Sequence, residues 1–333
     1  MRTITAFCSA AFAGVFALCL APSFGFVRSR TADSCNPIFW RQSCVYIQPD
    51  NTFVPDLAGA DVERIIQKSV NNWMTRTTGS FFKLNYLPAS EPKSVTYKDH
   101  LSVVVFRSGT KFCRPASDGS AQVCYDASAA AVTTVSYINK KGDPDDGLIV
   151  DADIELNAVN NQFVEIGKNL PASDGRNQTD LENTLTHELG HLMGLDHTCR
   201  LSADPACLTD DQGQPRQTCD AIDRGRLLNP TYQAIYVTSM FAIAPQKDIE
   251  KRTPKADDVT GIAAVSPIAN DPKVCEPPTT VATGCKCDMG NRGRPPMSAL
   301  FTVGIAILAM LRRRRHQALL GQPEEHERHA LGL

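Results

Sequence analysis

The stretch Thr184–Thr198, TLTHELGHLMGLDHT, places three histidines and a glutamate within eleven positions. Neutral imidazole is a common ligand of borderline metal ions such as Zn²⁺. His187 and His191 stand four apart, the spacing that brings two side chains onto one face of an α-helix, one turn from each other. Both rings can therefore meet one ion. Gly194 can end that helix at positive φ and turn the chain back. His197 follows three residues later and closes a third ligand position, so that three imidazoles and a water make an open tetrahedral zinc site. Glu188, beside the first ligand, cannot comfortably ligate together with both helical histidines, but it can reach the water on the metal. That is the general-base position. The chain has seven histidines, and His316, His326 and His329 lie in its C-terminal tail; of the rest, only His100 stands outside this cluster.

Several elements must position these groups. Thr179 and Glu182 form a Ser/Thr-x-x-Glu capping box that predicts the start of the helix. Leu181, Leu185, Leu189 and Leu192 share the face opposite the histidines. Upstream, PIFWRQSCVYIQPD reads as a first strand. DLAGADVERIIQKSVNNWMTRT places Leu57, Val62, Ile65, Ile66, Val70 and Trp73 near helical spacing and reads as an amphipathic helix. LSVVVFRSG is a buried strand, and AAVTTVSYIN and GLIVDADIELNA flank the turn KKGDPDDG as two more. One helix, several strands and a second helix bearing the histidines make an α+β pattern in a single domain over residues 26–270.

The ends differ from this middle. Residues 1–25 carry Arg2, the apolar run Ala6–Leu20 and small residues at Ser23 and Gly25, the pattern of a secretory signal. Of twelve cysteines, Cys8 and Cys19 leave with it, and the remainder in an exported chain implies disulfides. Cys35/Cys44 and Cys113/Cys124 would each close a short loop. Cys199, Cys207 and Cys219 crowd the region after the histidines and would staple a long loop, with connectivity open. Residues 271–296 are Gly-, Pro- and Cys-containing and read as a tether. In 297–333 a short apolar segment, Met297–Leu311, precedes Arg312–Arg315, which suits membrane contact through the tail or a sorting signal. A formal net charge of -2 provides no broad basic field for nucleic acid. The location implied is extracellular or on the cell envelope, with a protein or peptide as partner.

The string His187-Glu188-x-x-His191-x-x-Gly194-x-x-His197 resembles that of the metzincin clan of zinc endopeptidases. Met240 in VTSMFAI stands where the methionine-bearing turn of that clan would run beneath the metal. TPKADDVTGIAAVSP is similar to the last helix of matrixin-type domains, and LIVDADIELN to their edge-strand region. The resemblance implies a mixed twisted sheet, an active-site helix and a C-terminal helix after the Met-turn. It also implies one catalytic Zn²⁺ and a pocket wall over Ala242–Gln246. Structural calcium is common in the clan, and DPDDGLIVDADIELN could serve it or form an acidic loop pair. Thr198 stands where matrixins usually have serine, the segment Cys199–Tyr236 is long, and no separate propeptide lies between the signal and Cys35. Cys35 could occupy the metal in a latent form or pair with Cys44. The Cys-Lys-Cys, tether, apolar segment and arginine block together resemble the MYXO-CTERM sorting tag. Three functions stay in play: a zinc endopeptidase, a catalytically silent metzincin-fold adhesion module, and a zinc hydrolase of a non-peptide acyl or amide substrate.

Overall fold

A computed structural model describes residues 25–54, 56–90, 101–116, 121–201, 207–278 and 328–332. The expected signal over 1–24, the apolar segment Met297–Leu311 and the arginine block lie outside the described residues, within which no helix is long and apolar enough to cross a membrane. Along the chain run β1 (Val27–Arg28), β2 (Cys44–Pro49), α1 (Gly59–Met74), β3 (Lys83–Tyr86), β4 (Leu101–Arg107), β5 (Cys113–Arg114) and β6 (Val123–Cys124). They are followed by β7 (Ala131–Tyr137), β8 (Ile149–Asn157), β9 (Asn161–Val164), β10 (Asn177–Asp180), α2 (Leu181–Leu192) and β11 (Leu195–Asp196). The last elements are α3 (Cys219–Gly225), α4 (Pro230–Tyr236), α5 (Ala256–Val265) and β12 (Arg328–Gly332).

The main sheet has the order β12-β7-β8-β4-β2-β3. β3, β2, β4 and β8 run parallel, whereas β7 is antiparallel to β8 and β12 antiparallel to β7, which makes the sheet mixed. LIVDADIELN is therefore interior, not the edge strand expected from the resemblance. Eight of its nine β8 positions are buried, the signature of a strand covered on both faces. The edges are β12 and β3, and β7 lies between β8 and β12.

Apolar spacing explains the packing of the two long helices. Val62, Ile65, Ile66, Val70 and Trp73 form one buried face of α1 and join Leu181, Leu185, Leu189 and Leu192 of α2 in one core with Val104, Phe106, Ile154 and Leu156 of the sheet. Two buried indoles tie α2 in place. Trp73 donates to the Thr186 carbonyl at 2.9 Å and Trp40 to the Leu192 carbonyl at 2.8 Å.

The disulfides run Cys35–Cys207, Cys44–Cys275, Cys113–Cys124 and Cys199–Cys219. The expected Cys35–Cys44 loop is overturned. Cys44 opens a sheet strand beside which the returning chain is held, with Ser43 N–H donating to the Val274 carbonyl at 2.6 Å. Cys275 is thus fixed to the body, although it lies in the stretch read as a tether. With its sulfur bonded to Cys207, Cys35 is also not a metal ligand. Cys199–Cys219 does staple the segment after the histidines, and Cys113–Cys124 closes its short hairpin as expected.

The acidic groups weighed for calcium have protein partners. Glu155 is wholly buried between Arg107 Nε at 2.5 Å, Arg114 Nε at 2.8 Å and the Tyr125 hydroxyl at 2.7 Å. Asp146 accepts from Asn36 at 2.8 Å, and Asp145 from Arg41 at 2.7 Å. Removing one charge from such a buried set leaves the others uncompensated. Glu155→Gln is expected to lower unfolding stability by about 3 kcal/mol, read as a lower urea midpoint at unchanged m-value.

Candidate metal centre

Helix α2 starts one residue later than its expected cap. Asp180 is the N-cap, its carboxylate accepting from Asn183 N–H at 2.8 Å. Thr179 is held in strand β10, which pairs in parallel with β9 up to Asp180, so the chain stays extended through that position. Glu182 turns to Lys68 Nζ at 2.8 Å and Asn72 Nδ2 at 3.0 Å instead of back to the cap. All twelve residues of α2 are buried, so this is an interior helix with leucines on one side and the histidines on the other. It ends at Gly194, whose φ of +104° favours glycine and where an added Cβ would meet Val265 at 3.2 Å. The turn feeds β11 and brings His197 back over the helix.

The Nε2 atoms of the three histidines converge: 3.0 Å between His187 and His191, 3.1 Å between His191 and His197, and 3.2 Å between His187 and His197. None of the rings is more than 1% exposed. His187 Nδ1 lies 2.6 Å from the Ser239 carbonyl and His191 Nδ1 2.8 Å from the Leu195 carbonyl. A carbonyl only accepts, so both Nδ1 atoms carry the proton and both Nε2 lone pairs face inward. Burial holds the His191 imidazolium down to about 4, and burial with the neighbouring imidazoles holds His187 and His197 well below the usual histidine range. Neutral rings are the ligand form. Zn–N bonds of about 2.0–2.1 Å at tetrahedral angles put ligand nitrogens about 3.3 Å apart, close to the spacing here, so the donor set fits a single metal ion. Among the described residues it is the only such cluster of His, Cys, Asp or Glu.

Glu188 is also fully buried. Its Oε2 accepts from the Thr133 hydroxyl on β7 at 2.6 Å, while Oε1 has no hydrogen-bond partner. Burial pushes its carboxyl up to about 8. A buried carboxylate with one oxygen anchored and the other unpaired can take up a proton there.

Met240 supports the helix from beneath. A Cβ built on Gly190 would stand 2.2 Å from the Met240 sulfur, so only glycine between His187 and His191 allows this approach. The turn is tied on both sides. Thr198 N–H donates to the Met240 carbonyl at 3.0 Å, and Asp258 of α5 accepts from Ser239 N–H at 2.9 Å. Ser239 in turn presents the carbonyl that orients His187. Gly190→Ala is expected to cost about 1–3 kcal/mol by overpacking and to raise metal loss on dialysis, read by a thermal melt and metal analysis of the dialysed protein.

Several contributors are not visible in the motif. Thr133 lies in a strand with an ordinary buried pattern, and only pairing of β7 over α2 brings it to Glu188. Lys251 is buried, its ammonium pushed down to about 7 by burial while donating to the Ile243 carbonyl at 3.0 Å. Arg216 donates to the carbonyls of His197 and Cys199, both at 2.9 Å. Asp258 had a signal, since it belongs to the Asp-Asp-Val stretch, but its hold on the methionine turn needs the tertiary fold.

No family model matches the chain, and no curated protein matches it. Among solved structures, one described as "Structure of Myroilysin" aligns over 74% of this chain and 94% of that chain, at 14% identity and a TM-score of 0.30.

Proposed function

We propose that this chain is an exported zinc-dependent endopeptidase of matrixin-like type. The observation that supports it best is the set of three buried, inward-facing Nε2 atoms beside a glutamate with one unpaired oxygen. His187, His191 and His197 would hold the ion, and three imidazoles favour zinc over the hard cations, which prefer oxygen. When bound, zinc supplies Lewis-acid polarisation of water and of a carbonyl oxygen. Glu188 Oε1 then takes the proton of a water whose oxygen attacks the scissile carbonyl carbon. Glu188 next delivers that proton to the amide nitrogen as the C–N bond breaks. The Thr133 hydroxyl fixes Oε2, so the carboxylate keeps one orientation through both transfers. Met240 holds the helix from below and carries no proton.

The four disulfides among the described residues suit an oxidising compartment, in keeping with a signal peptide and a C-terminal tag that retains the protein at the envelope or is cut from it. Purified zinc-loaded protein incubated with casein should release peptides, and a chelator should stop the release. Intact casein in both arms would favour the silent adhesion module. Hydrolysis of simple esters or acyl amides with casein left whole would favour the non-peptide hydrolase.

A further inference from the structure

The three imidazoles are not held alike. His187 and His191 stand on α2, and each has its Nδ1 fixed by a carbonyl, of Ser239 and Leu195 respectively. His197 lies beyond the Gly194 turn, where no helix carries it. Among the described residues no carbonyl meets its Nδ1. Apart from the facing Nε2 atoms, its hydrogen bonds are those of its main chain. A ring without such a partner takes its place from the backbone that bears it. What holds that backbone therefore holds the third ligand.

One guanidinium spans it. Arg216 Nη1 donates to Asp196 Oδ2 at 3.0 Å, and Nη2 donates to the carbonyls of His197 and Cys199, both at 2.9 Å. It thus bridges the residue before the ligand, the ligand itself and the second residue after it. The Arg216 side chain is only 3% exposed, so water competes little for these bonds. Asp196 completes the set, its Oδ1 accepting the His197 N–H at 2.7 Å. A rigid planar fork of donors suits three oxygens at once, whereas a lysine ammonium is a compact charge without that fork.

The chain presents Arg216 by a covalent route. It stands three residues before Cys219, whose bond to Cys199 closes the chain after the motif into a ring. Within the ring Arg200 N–H donates to the Gln217 carbonyl at 2.8 Å, and Arg216 N–H to the Leu208 carbonyl at 2.9 Å. The ring is anchored in turn to the N-terminal segment. Asp211 accepts from Arg28 Nε at 2.7 Å and from Arg30 Nη2 at 3.0 Å, and Cys35 is bonded to Cys207. That segment pairs with the strand leading into the ligand, Val27 opposite Asp196 and Arg28 opposite Leu195. The stretch 195–199 is therefore gripped by β1 at its start and by Arg216 at its end. The long segment after the third histidine, a departure from the matrixin pattern, acquires a role.

We infer, resting on the zinc-holding part of the proposed function, that Arg216 is a positioning residue for the third metal ligand and that the disulfide-closed segment is the element that presents it. Zinc affinity of the metal-stripped full-length protein is measured by competition with a chromophoric chelator, so that turnover does not enter. Arg216→Met should raise the zinc Kd about 10–100-fold. Arg216→Lys keeps a positive charge beside Asp196 and so guards the fold, yet it should still raise the Kd about tenfold. Glu155→Gln, destabilised through a network that contains no metal ligand, should keep the wild-type Kd. This separates lost position from lost stability. The wild-type protein supplies a measurement that needs no variant. By linkage, zinc must steady whatever steadies its ligand. Hydrogen exchange at the Arg216 and Cys219 amides should therefore slow about fivefold more on zinc binding than exchange at the edge strand β3. A wild-type Kd in either Arg216 variant, an equal loss of affinity in Glu155→Gln, or equal slowing at β3 overturns the inference and leaves the peptidase reading standing. A wild-type protein that binds no zinc overturns both.

Discussion

Glu188→Gln is expected to lower kcat by about 10²–10⁴-fold with KM close to that of the wild type. Glutamine preserves the shape and can still meet the Thr133 hydroxyl, but it cannot accept a proton at Oε1. The group lost acts as water attacks and as the amine departs, so the effect belongs to the transition state and not to substrate binding. Zinc content should be unchanged, because the three ligand nitrogens come from His187, His191 and His197 and their carbonyl supports lie elsewhere, at Ser239 and Leu195. Steady-state kinetics on a fluorogenic peptide, with metal analysis of the same preparation, checks both halves. Wild-type turnover by a zinc-loaded variant contradicts the assigned role.

His191→Ala should have the larger effect, since it removes the ion as well as a ligand. Zinc should fall from one equivalent to near none, with peptide cleavage below detection. Stability should follow. Free zinc at about a thousandfold over its Kd stabilises a folded protein that binds it by about 4 kcal/mol, so stripping the wild-type protein with a chelator should lower Tm markedly. The variant should melt lower still, by an amount equivalent to about 1–3 kcal/mol, because the Leu195 carbonyl loses its imidazole partner. Thermal melts of both proteins with and without chelator separate the two contributions. A chelator shift that persists in the variant would place the metal elsewhere.

The metal cluster was legible because its geometry is local. Two histidines on a helix and one after a glycine turn are fixed by the 3.6-residue period and by the positive φ of Gly194, and neither needs the rest of the fold. The strands Leu101–Arg107, Ala131–Tyr137 and Ile149–Asn157 and the helix Gly59–Met74 were likewise visible in apolar spacing. What sequence did not carry is pairing across distance. Cys35 finds Cys207 and Cys44 finds Cys275, at separations of 172 and 231 residues, and nearness in sequence pointed to the wrong partner. The order of strands placed β8 inside the sheet. The helix cap slipped from Thr179 to Asp180 because β9 holds Thr179 in an extended conformation, a tertiary constraint overriding a local motif. Thr133 has no signal of its own, since a threonine in a buried strand is ordinary until the helix it faces is known. Only the α5 aspartate, Asp258, stood in a stretch already singled out, and even there the hydrogen bonds to Ser239 and Met240 came from the fold.

The most direct measurement is a zinc titration of the metal-stripped full-length protein, followed by casein cleavage. Activity should be absent at the start, rise linearly with added zinc and level off at one equivalent per chain, and the same titration of Glu188→Gln should bind the ion without restoring cleavage. Casein cleavage that survives stripping, or a wild-type protein that takes up one zinc and leaves casein intact, contradicts the account.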